Sequence, residues 1–191
     1  MAQSTVSCLN GALSAIDEAN AADPNLEDGE PAALLYGRRM SAELERLYPD
    51  ASDPLRIAAR GQHIERWILP RATYPEGKAG YHAWRRELAE HHAQRVGAIM
   101  AAAGYGVADI DATGRMLRKE GIKRHKDVQS LEDVICFVFL KWYFSPFAAK
   151  HNDAKVLGIV QKTARKMSDD ARQRVLAEFD LPEPLAAAFR Q

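Results

Sequence analysis

Two cysteines, Cys8 and Cys136, are all that this chain of 191 residues contains. They stand far apart and the second is embedded in an apolar run, so neither a disulfide framework nor a thiolate metal cluster is expected. An excess of one charge is lacking too. Lys and Arg together number 26 and so do Asp and Glu, and a balanced chain has no overall field that would draw it to nucleic acid or an anionic membrane. The sequence has no glycine-rich loop followed by Lys and Ser, no dinucleotide fingerprint and no serine on a nucleophile elbow. Those absences disfavour most nucleotide-dependent kinases and dehydrogenases. No basic segment followed by an apolar run opens the chain, so no secretory signal is visible and a cytoplasmic location is the expectation. The most apolar stretch, Leu131 to Phe144, has fourteen residues with Lys141 among them, too short to span a bilayer. No segment sustains strand-like alternation, and neither an internal repeat nor a low-complexity tract is present.

What is present reads as helix. Apolar residues make up 47% and charged residues 27%, ordinary for a soluble globular protein. The expectation is an all-α fold, a single-domain helical bundle over residues 1–191, with an acidic loop over 22–31 and an irregular connector over 69–78 beside the site. Val6, Leu9, Leu13, Ile16 and Ala19 mark one face of a first helix, and Leu34, Leu35, Met40, Leu44 and Leu47 mark a second that follows Pro31. Ser52 or Asp53, with Pro54 behind it, starts a third helix, expected to run through Trp67. In it Leu55, Ala59, His63 and Trp67 recur every four residues, which turns His63 inward. A long helix over about 79–102 repeats the spacing with Trp84, Leu88, His92, Val96 and Met100, and His91 falls at the border of that stripe. A shorter helix covers Asp109 to Lys119. Leu131 to Phe144 forms the central, mostly buried helix, with Ser130 as its N-cap and Pro146 closing its end. Two further helices, from Ala148 to Met167 and from Ser168 to Phe179, precede a final turn after Pro184.

Three ionisable side chains on separate helices are therefore expected to point inward: His63, His92 and Asp133. Two imidazoles and a carboxylate make a reasonable ligand set for a divalent transition metal such as Fe, Mn, Zn or Ni, with positions left open for water or substrate. The plainer alternative makes each histidine a core residue with its nitrogens satisfied by backbone, and the two acids helix caps. If a metal is held, its water becomes the nucleophile, and Glu132 or His91 is placed to assist proton transfer. Arg60, Arg66, Lys78, Arg85, Tyr81 and Trp84 lie near these positions in sequence, together with Arg86 and Tyr74. Arginine suits bidentate recognition of carboxylate or phosphate, so a small anionic molecule is the expected partner, unless this is only a solvated charged face. The basic cluster Lys119 to Lys126 is too short to make nucleic acid a favoured partner. The sequence leaves the oligomeric state open, a homo-oligomer included.

Four segments carry a resemblance: Leu34-Leu-Tyr-Gly-Arg-Arg-Met40, Ala58-Ala-Arg-Gly-Gln-His-Ile-Glu-Arg-Trp67, Tyr74-Pro-Glu-Gly-Lys-Ala-Gly-Tyr-His-Ala-Trp-Arg85 and Leu131-Glu-Asp-Val-Ile-Cys-Phe-Val-Phe-Leu140. Together they resemble the family known as domain of unknown function 4202, found in bacteria and fungi, over nearly the whole chain. That resemblance implies membership and no activity. More distantly, the order of His63, His92 and Asp133 is similar to the HD-domain superfamily of metal-dependent phosphohydrolases and oxygenases. It implies an HD-domain-like bundle in which His63 matches the histidine of the His-Asp pair, His92 a supplementary ligand and Asp133 the late aspartate. Ile64 stands where the pair has its aspartate, and Tyr36, Gly37 and Arg38 stand where the first helix of that superfamily carries a histidine. The functions implied are a metal-dependent hydrolase acting on a small anionic substrate or, on a degenerate ligand set, a metal-free anion-binding or protein-interaction module.

Overall fold

The computed structural model describes residues 2–190, with side chains from Ser7 onward. The Val6 side chain, assigned above to the first helix's inner face, lies outside them. Among the described residues there are ten α-helices and one hairpin of two-residue strands, so the fold is all-α. No helix among them is long and apolar enough to cross a membrane. The chain, expected to be one domain, divides into two compact units, Met1–Glu120 and Gly121–Gln191.

The first unit holds α1 (Ala2–Ala21), β1 (Leu26–Glu27), β2 (Glu30–Pro31), α2 (Ala32–Leu47), α3 (Asp53–Arg60), α4 (Gly77–Ala102) and α5 (Val107–Leu117). Ile16, Met40, Leu44, Ile57, Ile64, Val96, Met100 and Met116 are almost wholly buried there. The acidic stretch expected to be a loop is a tight hairpin. Asp28 and Gly29 take φ of 53° and 83°, both left-handed, which a two-residue hairpin turn requires and Asp-Gly supplies. Its strands are too short to show alternation in the sequence. Arg39 holds Asp28 at 2.7 Å, and the buried Asp23 accepts the Ala33 N–H at 3.0 Å, so a distant carboxylate caps the start of α2.

The third helix is shorter than its periodicity predicts. It starts as expected, with the Ser52 hydroxyl accepting from the Leu55 N–H and Pro in the first turn, but it ends at Arg60 and not at Trp67. Past Arg60 the chain is closely packed. A Cβ on Gly61 would meet Val96 Cγ2 at 2.5 Å, so the chain passes against α4 where only glycine fits. Glu65 then turns through φ of 50°, a 3₁₀ turn follows at Arg66–Ile68, and the expected connector over 69–78 holds a second one at Arg71–Thr73 and the first residues of α4. His63 therefore lies on a turn and not on a helical stripe. In α4, by contrast, Trp84, Leu88, His92, Val96 and Met100 are all buried, as their spacing predicts.

The second unit holds α6 (Lys126–Val138), α7 (Phe144–Ala148), α8 (Asp153–Lys166), α9 (Asp169–Glu178) and α10 (Glu183–Ala186). Leu131, Val134, Phe137, Val138, Val160, Met167, Val175 and Phe189 are its most buried apolar side chains. The central helix begins at Lys126, so Ser130 is not its cap and Glu132 and Asp133 lie in its interior. It also runs past its predicted end. A widened π turn over Phe139–Tyr143 leads directly into α7, which contains Pro146. Pro146 has no N–H to give the preceding turn, and a π turn one step earlier is where a helix absorbs such a break.

Candidate functional site

The turn after α3, one face of α4 and the end of α5 enclose a cavity of about 550 Å³ within the first unit. Four of its lining residues, Arg85, Leu88, Ala89 and His92, form a single stripe on α4. The turn contributes Gln62, His63 and Arg66, and the end of α5 contributes Arg118 and Lys119. The turn is held on two sides. The Glu65 N–H donates to Asn20 Oδ1 at 3.1 Å, and the Glu65 carboxylate accepts from Arg95 Nε at 2.9 Å with His91 Nε2 at 3.4 Å. A left-handed non-glycine residue persists only where its surroundings over-determine it, and these contacts do so.

The end of α5 is unusual in the same way. The Lys119 N–H bonds the Met116 carbonyl and the Glu120 N–H bonds that of Arg115, each at 3.0 Å, the pattern of a Schellman stop. The left-handed position of that motif favours glycine, yet here Lys119 occupies it with φ of 60°. A cation is thus kept on the cavity wall at a conformational cost of about 1 kcal/mol.

The electrostatics of the wall are one-sided. Arg66, Arg85, Arg86, Arg118 and Lys119 line the cavity against Glu90 and Glu120. Arg118 is committed to Glu120 at 2.6 Å, with Glu90 at 4.0 Å. Arg66 has no carboxylate. Its Nη1 lies 2.8 Å from His63 Nε2 and its guanidinium sits 4.8 Å above the Trp84 ring centre. A guanidinium can only donate, so His63 Nε2 accepts and its proton resides on Nδ1. Desolvation, and then the nearby Arg66, His92, Arg85 and Lys119, push the His63 pKa well below its ordinary value. Tyr36 stacks on the neutral ring at 3.8 Å with an 18° tilt. Desolvation, and then the Arg85 charge, also lower the Arg66 pKa. His92, driven down to about 3 by burial and then by His91, Arg66 and Arg85, is neutral at physiological pH. Its Nε2 and the Oε1 of Gln62 are buried with no protein partner.

The other predicted site residues are dispersed. Arg60 grips Asp17 through Nε and Nη2 at 2.6 and 2.8 Å. Lys78 is exposed in the first turn of α4 and Tyr81 is 45% exposed, its ring 5.9 Å from that of Trp84. None of the three lines the cavity. Trp84 serves from beneath Arg66, its Nε1 donating to the Leu69 carbonyl at 2.8 Å. His91 faces Glu65. Glu132 and Asp133 belong to the second unit, where Lys166 Nζ lies 3.3 Å from Glu132. Asp133 Oδ1 accepts from the Ser168 N–H at 2.8 Å and from Gln129 at 2.9 Å, and its Oδ2 accepts from the Ser168 hydroxyl at 2.7 Å. Asp133 does serve a cap, but the one that starts α9.

As a metal set these residues do not fit in this arrangement. The His63 nitrogen that an ion would need faces a guanidinium, both Asp133 oxygens are engaged, and only His92 Nε2 lacks a partner. Among the described residues, no group of three or more His, Cys, Asp or Glu side chains is arranged to hold a metal. Gln62, Arg118 and Lys119 were not expected at the site. Leu88 and His92 were legible from the four-residue spacing that starts at Trp84, whereas Gln62 and Lys119 reach the cavity through turns that no periodicity marks.

Fold and cavity together define a class: an all-helical protein carrying a cationic cavity in its first unit. Comparison with known families is specific. The profile of a domain of unknown function, DUF4202, matches residues 10–188, and the chain belongs to that family. No curated protein and no solved structure matches the chain.

Proposed function

We propose that the first unit binds small phosphate-bearing anions without a metal, with Arg66, Arg85 and Arg86 supplying the charge. Arg66 carries the reading. A half-buried guanidinium normally answers to a carboxylate, because leaving it without a counter-charge is destabilising. Here its near neighbours are a neutral imidazole and an aromatic face, with Arg85 close enough to depress its pKa. Among the described residues Arg85 and Arg86 make neither a hydrogen bond nor an ion pair within the protein. An anion entering the cavity would supply the counter-charge that Arg66 and Arg85 lack, with the exposed Arg86 at its rim, and bidentate geometry suits phosphate.

Titration calorimetry of the full chain with inorganic phosphate at low ionic strength tests this. Binding is expected, weakened at least tenfold by Arg66→Ala and by Arg85→Ala combined with Arg86→Ala. Unchanged affinity in folded variants would remove the proposal. The rival is the metal-dependent hydrolysis implied by the HD-like order of His63, His92 and Asp133. Elemental analysis of untagged protein separates the two: near-stoichiometric Fe, Mn, Zn or Ni, lost in His63→Ala, would replace anion binding by metal chemistry.

A further inference from the structure

Gln62 and His92 border the same cavity as the arginines, and each residue is only 5% exposed. Among the described residues neither Gln62 Oε1 nor His92 Nε2 meets a protein partner. Asn20, His91 and Glu132 also keep a buried side-chain atom without a hydrogen bond among the described residues, but none of the three lines the cavity, and His91 and Glu132 each face an opposite charge, Glu65 at 3.4 Å and Lys166 at 3.3 Å. What sets Gln62 and His92 apart is that both unpaired atoms belong to residues lining one cavity beside a cluster of cations, where a ligand can reach them.

We propose that the ligand is the phosphate ester of a polyhydroxylated small molecule, a sugar phosphate or similar polyol phosphate. Its phosphate lies against Arg66, Arg85 and Arg86, and its hydroxyls bond Gln62 and His92. This rests on the phosphate reading above and specifies it. A hydroxyl both donates and accepts, so it satisfies an amide oxygen and also an imidazole nitrogen in either tautomer. A doubly charged phosphate suits three guanidinium groups better than a single carboxylate does. A cavity of about 550 Å³ is within the range of about 300–1,000 Å³ that encloses a whole small molecule. An apolar ester would leave both buried groups unsatisfied, and sites with such groups discriminate strongly against ligands that cannot pair them.

The test is calorimetry of the full chain with methyl phosphate, which has the charge and no hydroxyl, against ribose 5-phosphate, glucose 6-phosphate and glycerol 3-phosphate. At least one hydroxylated ester is expected to bind ten times or more tighter than methyl phosphate. Gln62→Leu should reduce that advantage to a few-fold. If methyl phosphate binds and none of the three esters exceeds it, ordered water satisfies Gln62 and His92, and the polyol assignment falls while phosphate binding stands. If inorganic phosphate and every ester fail to bind, both fall. The comparison of ligands on unmodified protein decides the matter even if Gln62→Leu does not fold.

Discussion

In the second unit both buried acids of the central helix are answered from within the protein, Glu132 by Lys166 and Asp133 by Ser168 and Gln129. In the cavity of the first unit Arg66 meets only a neutral imidazole and a ring, while His92 and Gln62 keep unpaired buried atoms. The contrast separates polar groups that hold the fold from polar groups that await something else. A buried carboxylate with hydrogen-bonded partners is structural however much it resembles a ligand, and a buried cation with no counter-charge is costly unless a ligand supplies one.

That contrast can be broken most readily at Asp133. Asp133→Ala leaves the Ser168 N–H and hydroxyl without their acceptor at the start of α9, and a stability loss of about 3 kcal/mol is expected in urea titration. Phosphate affinity of the folded fraction should not change. Loss of binding with little loss of stability would mean that the acid belongs to a site after all.

The next largest effect concerns acid. His92 is held neutral, its folded pKa of about 3 lying below the ordinary 6.5, so the unfolded chain binds a proton in that window that the folded chain refuses. Stability from this group is full above pH 6.5 and falls as pH drops from there toward 3, by about 1.4 kcal/mol per pH unit. Between pH 6.5 and 5 the native protein should lose about 2 kcal/mol more than His92→Gln does. Parallel stability curves for the two proteins would show that His92 is not buried in the neutral form.

Arg66→Met should spare the stability that Asp133→Ala removes. Removing the guanidinium relieves a cation without a counter-charge but leaves His63 Nε2 without its donor, so urea stability is expected to change by no more than about 1 kcal/mol, while phosphate binding collapses. A loss comparable to that of Asp133→Ala would make Arg66 structural. The smallest effect is at Lys119, whose left-handed backbone glycine adopts without strain. Lys119→Gly is expected to stabilise by about 0.5–1 kcal/mol and to weaken phosphate a few-fold, readable by combining thermal unfolding with calorimetry.

Much of the helix plan was legible because helical periodicity is a local property. The α4 stripe from Trp84 to Met100 and the Ser168 and Pro54 helix starts follow from spacings of three or four residues. The hairpin at Asp28-Gly29 carried its turn signal but strands too short to alternate. Where a reading depended on a partner far along the chain it failed. The close approach at Gly61 is to Val96, 35 residues on, and the role of Asp133 is set by a serine 35 residues away.

The sequence by itself determined the family, the all-helical class and the inward stripe that carries Leu88 and His92 on α4. Only the tertiary structure decided which polar groups were paired and which were left open, because a carboxylate, imidazole or guanidinium is defined by what packs against it. Arg66 and Asp133 are both charged side chains beside apolar runs in the sequence. Their different surroundings make Asp133 a helix fastener and give Arg66 a cavity without a counter-charge.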